Sequence, residues 1–322
     1  MTKRALITGI TGQDGSYLAE WLLSKDYKVF GLVRRLSKPN TDNIKGILDK
    51  VELVEGDLTD QSSLLHAVKQ AEPDELYNLA SQSFVKTSWT QPELTANITG
   101  VGALRVFEAA RQACPLVRIY QASSSEMFGN MPGPQNEETP MHPRSPYGVA
   151  KLFAHRMAKV YRDSYGMFIS CGILFNHESP RRGIEFVTRK IAHAVARIEG
   201  GKQDKLVLGD ISAQRDWGYA PDYVKAMWLM LQHKNPEDFV IATGEQHSVS
   251  EFVVRAFEHV RLDWKDYVDV DKKYMRPAEL YSLRGDAKKA KEKLGWTHEV
   301  GFEELVSAMV DSELREAGLA KY

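Results

Sequence analysis

The segment Thr8-Gly9-Ile10-Thr11-Gly12-Gln13-Asp14-Gly15 constrains this chain more than any other stretch. It follows a β-forming apolar run and leads into a helical pattern. Its glycines therefore permit a tight turn and close backbone approach, while the unpaired amides at the helix start are available to a pyrophosphate. The spacing is GxxGxxG rather than GxGxxG. A plain glycine turn is the competing reading, and the strand before and helix after weigh against it. Gly9, Thr11, Gly12, Gln13, Asp14 and Gly15 are expected at a dinucleotide.

Short apolar runs at residues 5–9, 28–33, 51–55, 75–79 and 118–122 alternate with helical patterns, the signature of a parallel sheet built from right-handed crossovers. A further buried strand is expected at 168–175, ending at the same crevice as the earlier strand ends. Beyond about residue 176 the rhythm changes to longer helices and isolated strands, with breaks at Ser179-Pro180, Gly200-Gly201 and Arg276-Pro277. The expected fold is α/β, a doubly wound parallel sheet with a smaller C-terminal substrate-binding lobe. The expected division is 1–176 for the sheet domain, with the catalytic residues, and 177–322 for the lobe, from which a strand and a helix can return to the sheet.

With 322 residues, 43% of them hydrophobic and 26% charged, the chain can bury a full core. A net charge of -1 gives no bulk attraction to nucleic acid or to an anionic membrane, so an anionic ligand must be met by local arginines and backbone amides. Cys114 and Cys171 are too few for a disulfide framework and fit a reducing compartment. No segment approaches membrane-spanning length and no apolar leader opens the chain, so a cytoplasmic protein is expected. The nine histidines show neither HxxH nor HExxH spacing, and no metal is expected. Trp217, Trp228 and Trp264 lack interleaved basic residues and read as packing residues.

Tyr147 and Lys151 stand at i and i+4 in Ser145-Pro146-Tyr147-Gly148-Val149-Ala150-Lys151, on one face of a helix. A cation about 4 Å from the phenol contributes roughly 4 kcal/mol at an effective dielectric near 20, or about three pK units, enough to bring a phenol from ~10 towards 7. Such a tyrosine is a base for a sugar or alcohol hydroxyl. A surface Tyr–Lys pair is the bland alternative. It loses ground because the phosphate turn, the hydroxyl-rich run Ser123-Ser124-Ser125-Glu126 and this helix follow in order. At the end of the second strand, where an acidic residue would meet a free ribose 2′-hydroxyl, stand Arg34 and Arg35. Two guanidiniums suit a 2′-phosphate, which favours NADP over NAD; a subunit contact or solubility is the other use for them. Asp57, with Leu58 behind it, is placed to meet an adenine edge or to cap the next helix.

At these residues the chain resembles the extended short-chain dehydrogenase/reductase family and, within it, the GDP-mannose 4,6-dehydratase family. The stretches that carry the likeness include Gly9 to Leu18, Tyr77-Asn78-Leu79-Ala80-Ser81-Gln82-Ser83, Gln121-Ala122-Ser123-Ser124-Ser125-Glu126-Met127-Phe128-Gly129 and Pro143-Arg144-Ser145-Pro146-Tyr147. Asn176-His177-Glu178-Ser179-Pro180-Arg181-Arg182-Gly183, Phe186-Val187-Thr188-Arg189-Lys190, Arg215-Asp216-Trp217-Gly218 and Arg276-Pro277-Ala278-Glu279 continue it over nearly the whole length. The Asn-His-Glu-Ser-Pro segment is far more specific than the glycine turn.

The resemblance implies a Rossmann-type sheet and an internal redox cycle on GDP-mannose: C4 oxidised by NADP, water lost across C5 and C6, and the same hydride returned to C6. Tyr147 would take the C4 hydroxyl proton, Lys151 would lower its pKa and hold the nicotinamide ribose, and Ser124 would hydrogen-bond the reacting hydroxyl. The family commonly has threonine at the Ser124 position, and the hydroxyl is kept. Glu126 would remove the C5 proton, acidified by the C4 ketone, and then protonate the leaving C6 hydroxyl; partial burial towards pKa ~6–7 suits that double role. A helix cap or surface carboxylate is the other reading of Glu126.

Leu79, Ala80, Ser81 and Arg182 join the expected cofactor contacts, and His177 is expected to be a structural or cofactor-positioning residue. Ser83, Asn176, Lys190, Arg215, Arg276 and Glu279 are expected at the phosphates, sugar or guanine. A homodimer through a helix bundle, or a tetramer through residues 34–43, is also implied. The nearest alternatives are a 4-epimerase or a 4-keto reductase on the same scaffold, which need no acid/base at Glu126. A dinucleotide-sensing protein without turnover is more distant, and the intact Ser, Glu, Tyr and Lys set argues against it.

Overall fold

The computed structural model describes residues 2–38, 40–271, 273 and 282–319. The first strands are β1 (Arg4–Thr8), β2 (Lys28–Val33), β3 (Val51–Glu55), β4 (Glu75–Asn78), β5 (Arg118–Ala122) and β6 (Ile169–Leu174). They follow the runs expected from the sequence. The chain then adds β7 (Asn176–Glu178), β8 (Leu206–Leu208), β9 (Gln214–Arg215), β10 (Trp217–Tyr219) and β11 (Asp238–Ile241). Last come β12 (His247–Ser248), β13 (Val268–Val270) and β14 (Ser282–Leu283).

The central seven-stranded sheet has the order β11-β6-β5-β4-β1-β2-β3, with its strands paired in parallel. From β1 the chain winds outward through β2 and β3, then returns to β4 and winds the other way. The reversal between β1 and β4 opens a crevice at the carboxyl ends of both strands.

Between these strands lie α1 (Gln13–Leu23), α2 (Gln61–Ala71), α3 (Val85–Thr90), α4 (Pro92–Thr95), α5 (Gly102–Ala113) and α6 (Pro146–Tyr165). Strand alternation sends Ala5 and Ile7 to one face, with Leu18 and Leu22 of α1, and Leu6 to the other, with Leu64, Phe107 and Ala154. A sheet covered on both faces explains why its strands read as nearly continuous apolar runs. Helix α6 starts where Ser145 accepts the Gly148 N–H at 3.1 Å and Pro146 takes the first turn; it ends at Gly166 with φ +64°.

The C-terminal part carries α7 (Val187–Glu199), α8 (Ala220–Gln232), α9 (Val249–His259), α10 (Lys288–Leu294) and α11 (Phe302–Glu316). Helices α7, α9 and α11 enclose a core of their own around Val195, Phe252 and Met309. Strand β11 pairs with β6, and Met227 and Met230 of α8 pack in the core cluster that contains Leu18 and Leu22 of α1.

Two glycines of the first turn are required by geometry. Gly9 has φ +75°, and a Cβ there would lie 3.0 Å from the Ala80 backbone; at Gly15 a Cβ would lie 2.2 Å from the Gly9 carbonyl oxygen. Gly15→Ala is therefore expected to displace the turn and lower stability by about 1–3 kcal/mol, read by guanidinium unfolding.

Candidate active site

The glycine turn closes with Gly12 N–H donating to the Gly9 carbonyl at 3.0 Å. Gly12 then precedes α1 as its N-cap residue with no side-chain cap, so the first amides of the helix point at the crevice without an internal acceptor. That is an arrangement suited to phosphate oxygens. The side chains of Gln13 and Asp14 turn elsewhere. Gln13 Nε2 donates to the His177 carbonyl at 3.1 Å, Gln13 Oε1 accepts from Ser179 Oγ at 2.8 Å, and Asp14 Oδ2 meets His177 Nε2 at 2.8 Å. Any role of these two residues toward a dinucleotide falls to their backbone, because their side chains fasten the turn to β7.

The protonation of His177 follows from its partners. Its Nδ1 is 2.8 Å from the Phe175 carbonyl, which can only accept, so Nδ1 carries a proton. Its Nε2 faces a carboxylate, so the ring is an imidazolium paired with Asp14. Burial opposes the charge on both partners, yet their mutual attraction and hydrogen bond win: His177 is raised, and Asp14 is lowered to about 2. Tyr223 stacks on the imidazole with centroids 4.7 Å apart. His177 thus forms an ion pair with Asp14 beneath the glycine turn.

Tyr147 and Lys151 both lie buried on α6. The Ser124 hydroxyl accepts from the Glu126 backbone N–H at 3.2 Å, and both Ser124 and the Glu126 charge act on the Tyr147 phenol. Ser124, Glu126 and Tyr147 are therefore together. Glu126 sits in a short 3-10 turn whose N-cap is Ser124.

Lys151 is placed differently from expectation. Its Nζ donates to the Ala122 carbonyl at 2.9 Å and lies 5.7 Å from the centroid of the Tyr147 ring. Burial raises the Tyr147 phenol, with Ser124 pulling the other way and Glu126 pushing up. Burial also lowers Lys151 to about 8, against the pull of Asp14. The expected depression of the phenol is not found in the protein alone, because desolvation of a buried phenolate outweighs the ammonium held at Ala122.

The remaining expected residues lie on several different elements. Arg34 and Arg35 are exposed just beyond β2. Asp57 Oδ1 accepts from Thr59 N–H at 2.8 Å and Thr59 Oγ1 at 2.7 Å, and Asp60, not Asp57, caps α2. Leu58 packs into the core, with Gly102 approaching its side chain. The amides of Leu79 and Ala80 each donate to Thr8 Oγ1 at 3.1 Å; Ser81 follows at half burial, and Ser83 is exposed. Arg182 Nε is 3.1 Å from Glu178 Oε2, and its guanidinium lies over Phe186.

In the C-terminal part, Asn176 of β7 pairs with Trp217 of β10, Lys190 Nζ donates to the Val207 carbonyl at 2.7 Å, and Arg215 Nη1 donates to the Gln214 carbonyl at 2.8 Å. Thr11, which opens the turn's second step, accepts from Asn43 Nδ2 through its carbonyl at 3.0 Å. Arg276 and Glu279 lie outside the described residues.

Three buried polar residues gained no role from the sequence: Thr8, Asn78 and Gln121. Each stands at or next to the end of a strand, a polar side chain where the apolar run stops, and that is the signal that could have flagged them.

The Asp14–His177 pair generates a pH prediction. The contribution of a raised histidine is complete below its ordinary value of 6.5 and fades as pH rises through its folded value; that of a lowered aspartate is complete above 3.8 and fades as pH falls through about 2. The pair is whole between those limits, from about pH 4 to 6.5. Asp14→Asn should cost about 2–3 kcal/mol there, somewhat less than a fully buried pair because Asp14 keeps 22% side-chain exposure. Urea unfolding across pH should show the difference shrinking on both sides of that window.

Residues 6–309 match the family described as GDP-mannose 4,6 dehydratase. GDP-mannose 4,6 dehydratase 2 of Arabidopsis thaliana is 54% identical over 327 residues, covering 98% of this chain and 88% of that protein. The Homo sapiens GDP-mannose 4,6 dehydratase is 49% identical over 339 residues, covering 96% and 91%. Among solved structures, UDP-glucose 4-epimerase of Thermus thermophilus, in complex with NAD, superposes with a TM-score of 0.85 at 27% identity, covering 96% of this chain and 98% of that one. With a match that spans the sheet, the Ser124–Glu126–Tyr147–Lys151 group and the C-terminal part, this chain belongs to the GDP-mannose 4,6-dehydratase family.

Proposed function

We propose that this chain is a nucleotide-sugar 4,6-dehydratase that converts GDP-mannose to GDP-4-keto-6-deoxymannose with NADP. The observation that carries the reading is the carboxylate of Glu126 beside the Ser124–Tyr147 pair, in a chain of this family. The uncapped start of α1 fits the pyrophosphate of a dinucleotide, and Arg34 and Arg35 fit a 2′-phosphate. When bound, the nicotinamide supplies a hydride acceptor at C4 and a hydride donor at C6.

The residues of the chain do the proton work. Tyr147 takes the proton of the C4 hydroxyl, with Ser124 orienting that hydroxyl and stabilising the phenolate. Lys151 holds positive charge at the buried end of the site. Once C4 is a ketone, the C5 proton is acidic; Glu126 removes it and passes a proton to the departing C6 hydroxyl. Ser83, Asn176, Lys190, Arg215, Arg276 and Glu279 are proposed contacts for the nucleoside diphosphate and sugar. We also propose a cytoplasmic homo-oligomer, dimer or tetramer. Val149, Phe153 and Val160, exposed on α6, offer one apolar face for pairing. Among the described residues no helix is long and apolar enough to cross a membrane.

An NMR time course with GDP-mannose and a trace of NADP should yield a 4-keto-6-deoxy sugar without net NADPH; no such product would end the reading. Glu126→Gln should lower elimination by about 10²–10⁴-fold while C4 oxidation still reduces cofactor in a single turnover. A 4-epimerase or 4-keto reductase would keep most of its activity in that variant. Arg34→Ala combined with Arg35→Ala should weaken NADP about 10–100-fold by titration calorimetry and leave NAD nearly unchanged.

A further inference from the structure

Thr8, Asn78 and Gln121 form one directed chain of hydrogen bonds across the carboxyl ends of β1, β4 and β5, neighbours in the sheet. Its direction is fixed at one end by groups that can only donate. The Leu79 and Ala80 amides both donate to Thr8 Oγ1, so the Thr8 proton goes outward, to Asn78 Oδ1 at 2.8 Å. The Asn78 amide then donates through Nδ2 to Gln121 Oε1 at 2.7 Å. That leaves Gln121 Nε2 to donate to the Ala122 carbonyl at 2.9 Å, the same oxygen that accepts from Lys151 Nζ at 2.9 Å. Thr8, Asn78 and Gln121 are 2–3% exposed, so each bond stands where a missing partner would leave an unsatisfied polar group.

We infer that Gln121, held by Asn78 and Thr8, is a positioning residue that fixes the Ala122 carbonyl and through it the ammonium of Lys151. A carbonyl oxygen has two lone pairs. Gln121 fills one and leaves a single direction for Lys151, on the strand that leads directly into Ser123-Ser124. The chain of bonds begins at the residue before Gly9, so the phosphate turn and the lysine share one set of fixed amides. No link in it depends on solvent. The inference rests on the proposed reaction only for its kinetic test.

Two variants and two readouts test it. Gln121→Leu removes the link; Gln121→Glu keeps the size and can still accept from Asn78, but its carboxylate cannot donate to Ala122. With lysine labelled at Cε with ¹³C, and the Lys151 signal assigned through Lys151→Met, the wild type should show two distinct geminal Cε protons, the mark of a fixed side chain. Both variants should collapse or broaden that pair. In turnover at saturating NADP, kcat should fall about tenfold or more while KM for GDP-mannose stays within about threefold. Thr8→Val should act in the same direction and Thr8→Ser should restore the wild-type values.

A folded Gln121 variant with unchanged Lys151 signals and kcat within about twofold of wild type would overturn the inference. A merely structural role would lower the unfolding midpoint and leave both readouts in place. If the wild type itself fails to turn over GDP-mannose, the proposed function falls, and the Lys151 signals still judge the positioning role.

Discussion

An ammonium that is 4% exposed cannot be left without acceptors, and Lys151 sets the terms for the carboxyl edge of the sheet. Its acceptor is the carbonyl of Ala122, the last residue of β5, and the next two residues bring Ser124 to the Tyr147 phenol. One strand end therefore places both the lysine and the hydroxyl. Burial lowers Lys151 to about 8 and raises the Tyr147 phenol, so the site holds its charges against the cost of desolvation.

The second organising contact joins the glycine turn to the C-terminal part. Gln13 and Asp14 hold His177 and Ser179. One turn further along α1, Arg181 donates to Ser16 Oγ at 3.1 Å and Glu20 Oε1 at 2.6 Å and lies over Tyr17. Helix α1 thus presents its free amides to the crevice while its side chains grip residues 177–181. A turn so fastened has its backbone fixed by contacts that the packed chain itself supplies, which would spare the ordering cost of the proposed dinucleotide binding.

The fold was legible because its signals are local. Short, nearly continuous apolar runs marked β1 to β6, and Tyr147 and Lys151, read at i and i+4 on one helix, both fell on α6. The glycine turn was legible for the same reason, since Gly9 and Gly15 meet constraints set within a few residues or by the neighbouring strand. The destinations of Gln13 and Asp14 were not, because their partners lie more than 160 residues away and only the packed chain brings them near. The phenol illustrates a different failure. A spacing argument contains the attraction of Lys151 but not the burial of Tyr147, and burial proved the larger effect. Thr8, Asn78 and Gln121 are three polar residues on three separate strands, and they become a network only once β1, β4 and β5 are known to be neighbours.

In the proposed cycle one sugar is oxidised, dehydrated and reduced within a single closed site. That is tested most directly with GDP-mannose carrying deuterium at C4, followed by mass spectrometry and NMR of the product. The account predicts deuterium at C6 of a 4-keto-6-deoxy sugar, with none accumulating in free cofactor. Deuterium left at C4 of a 4-epimer, or gathered in reduced cofactor in step with product, would contradict it.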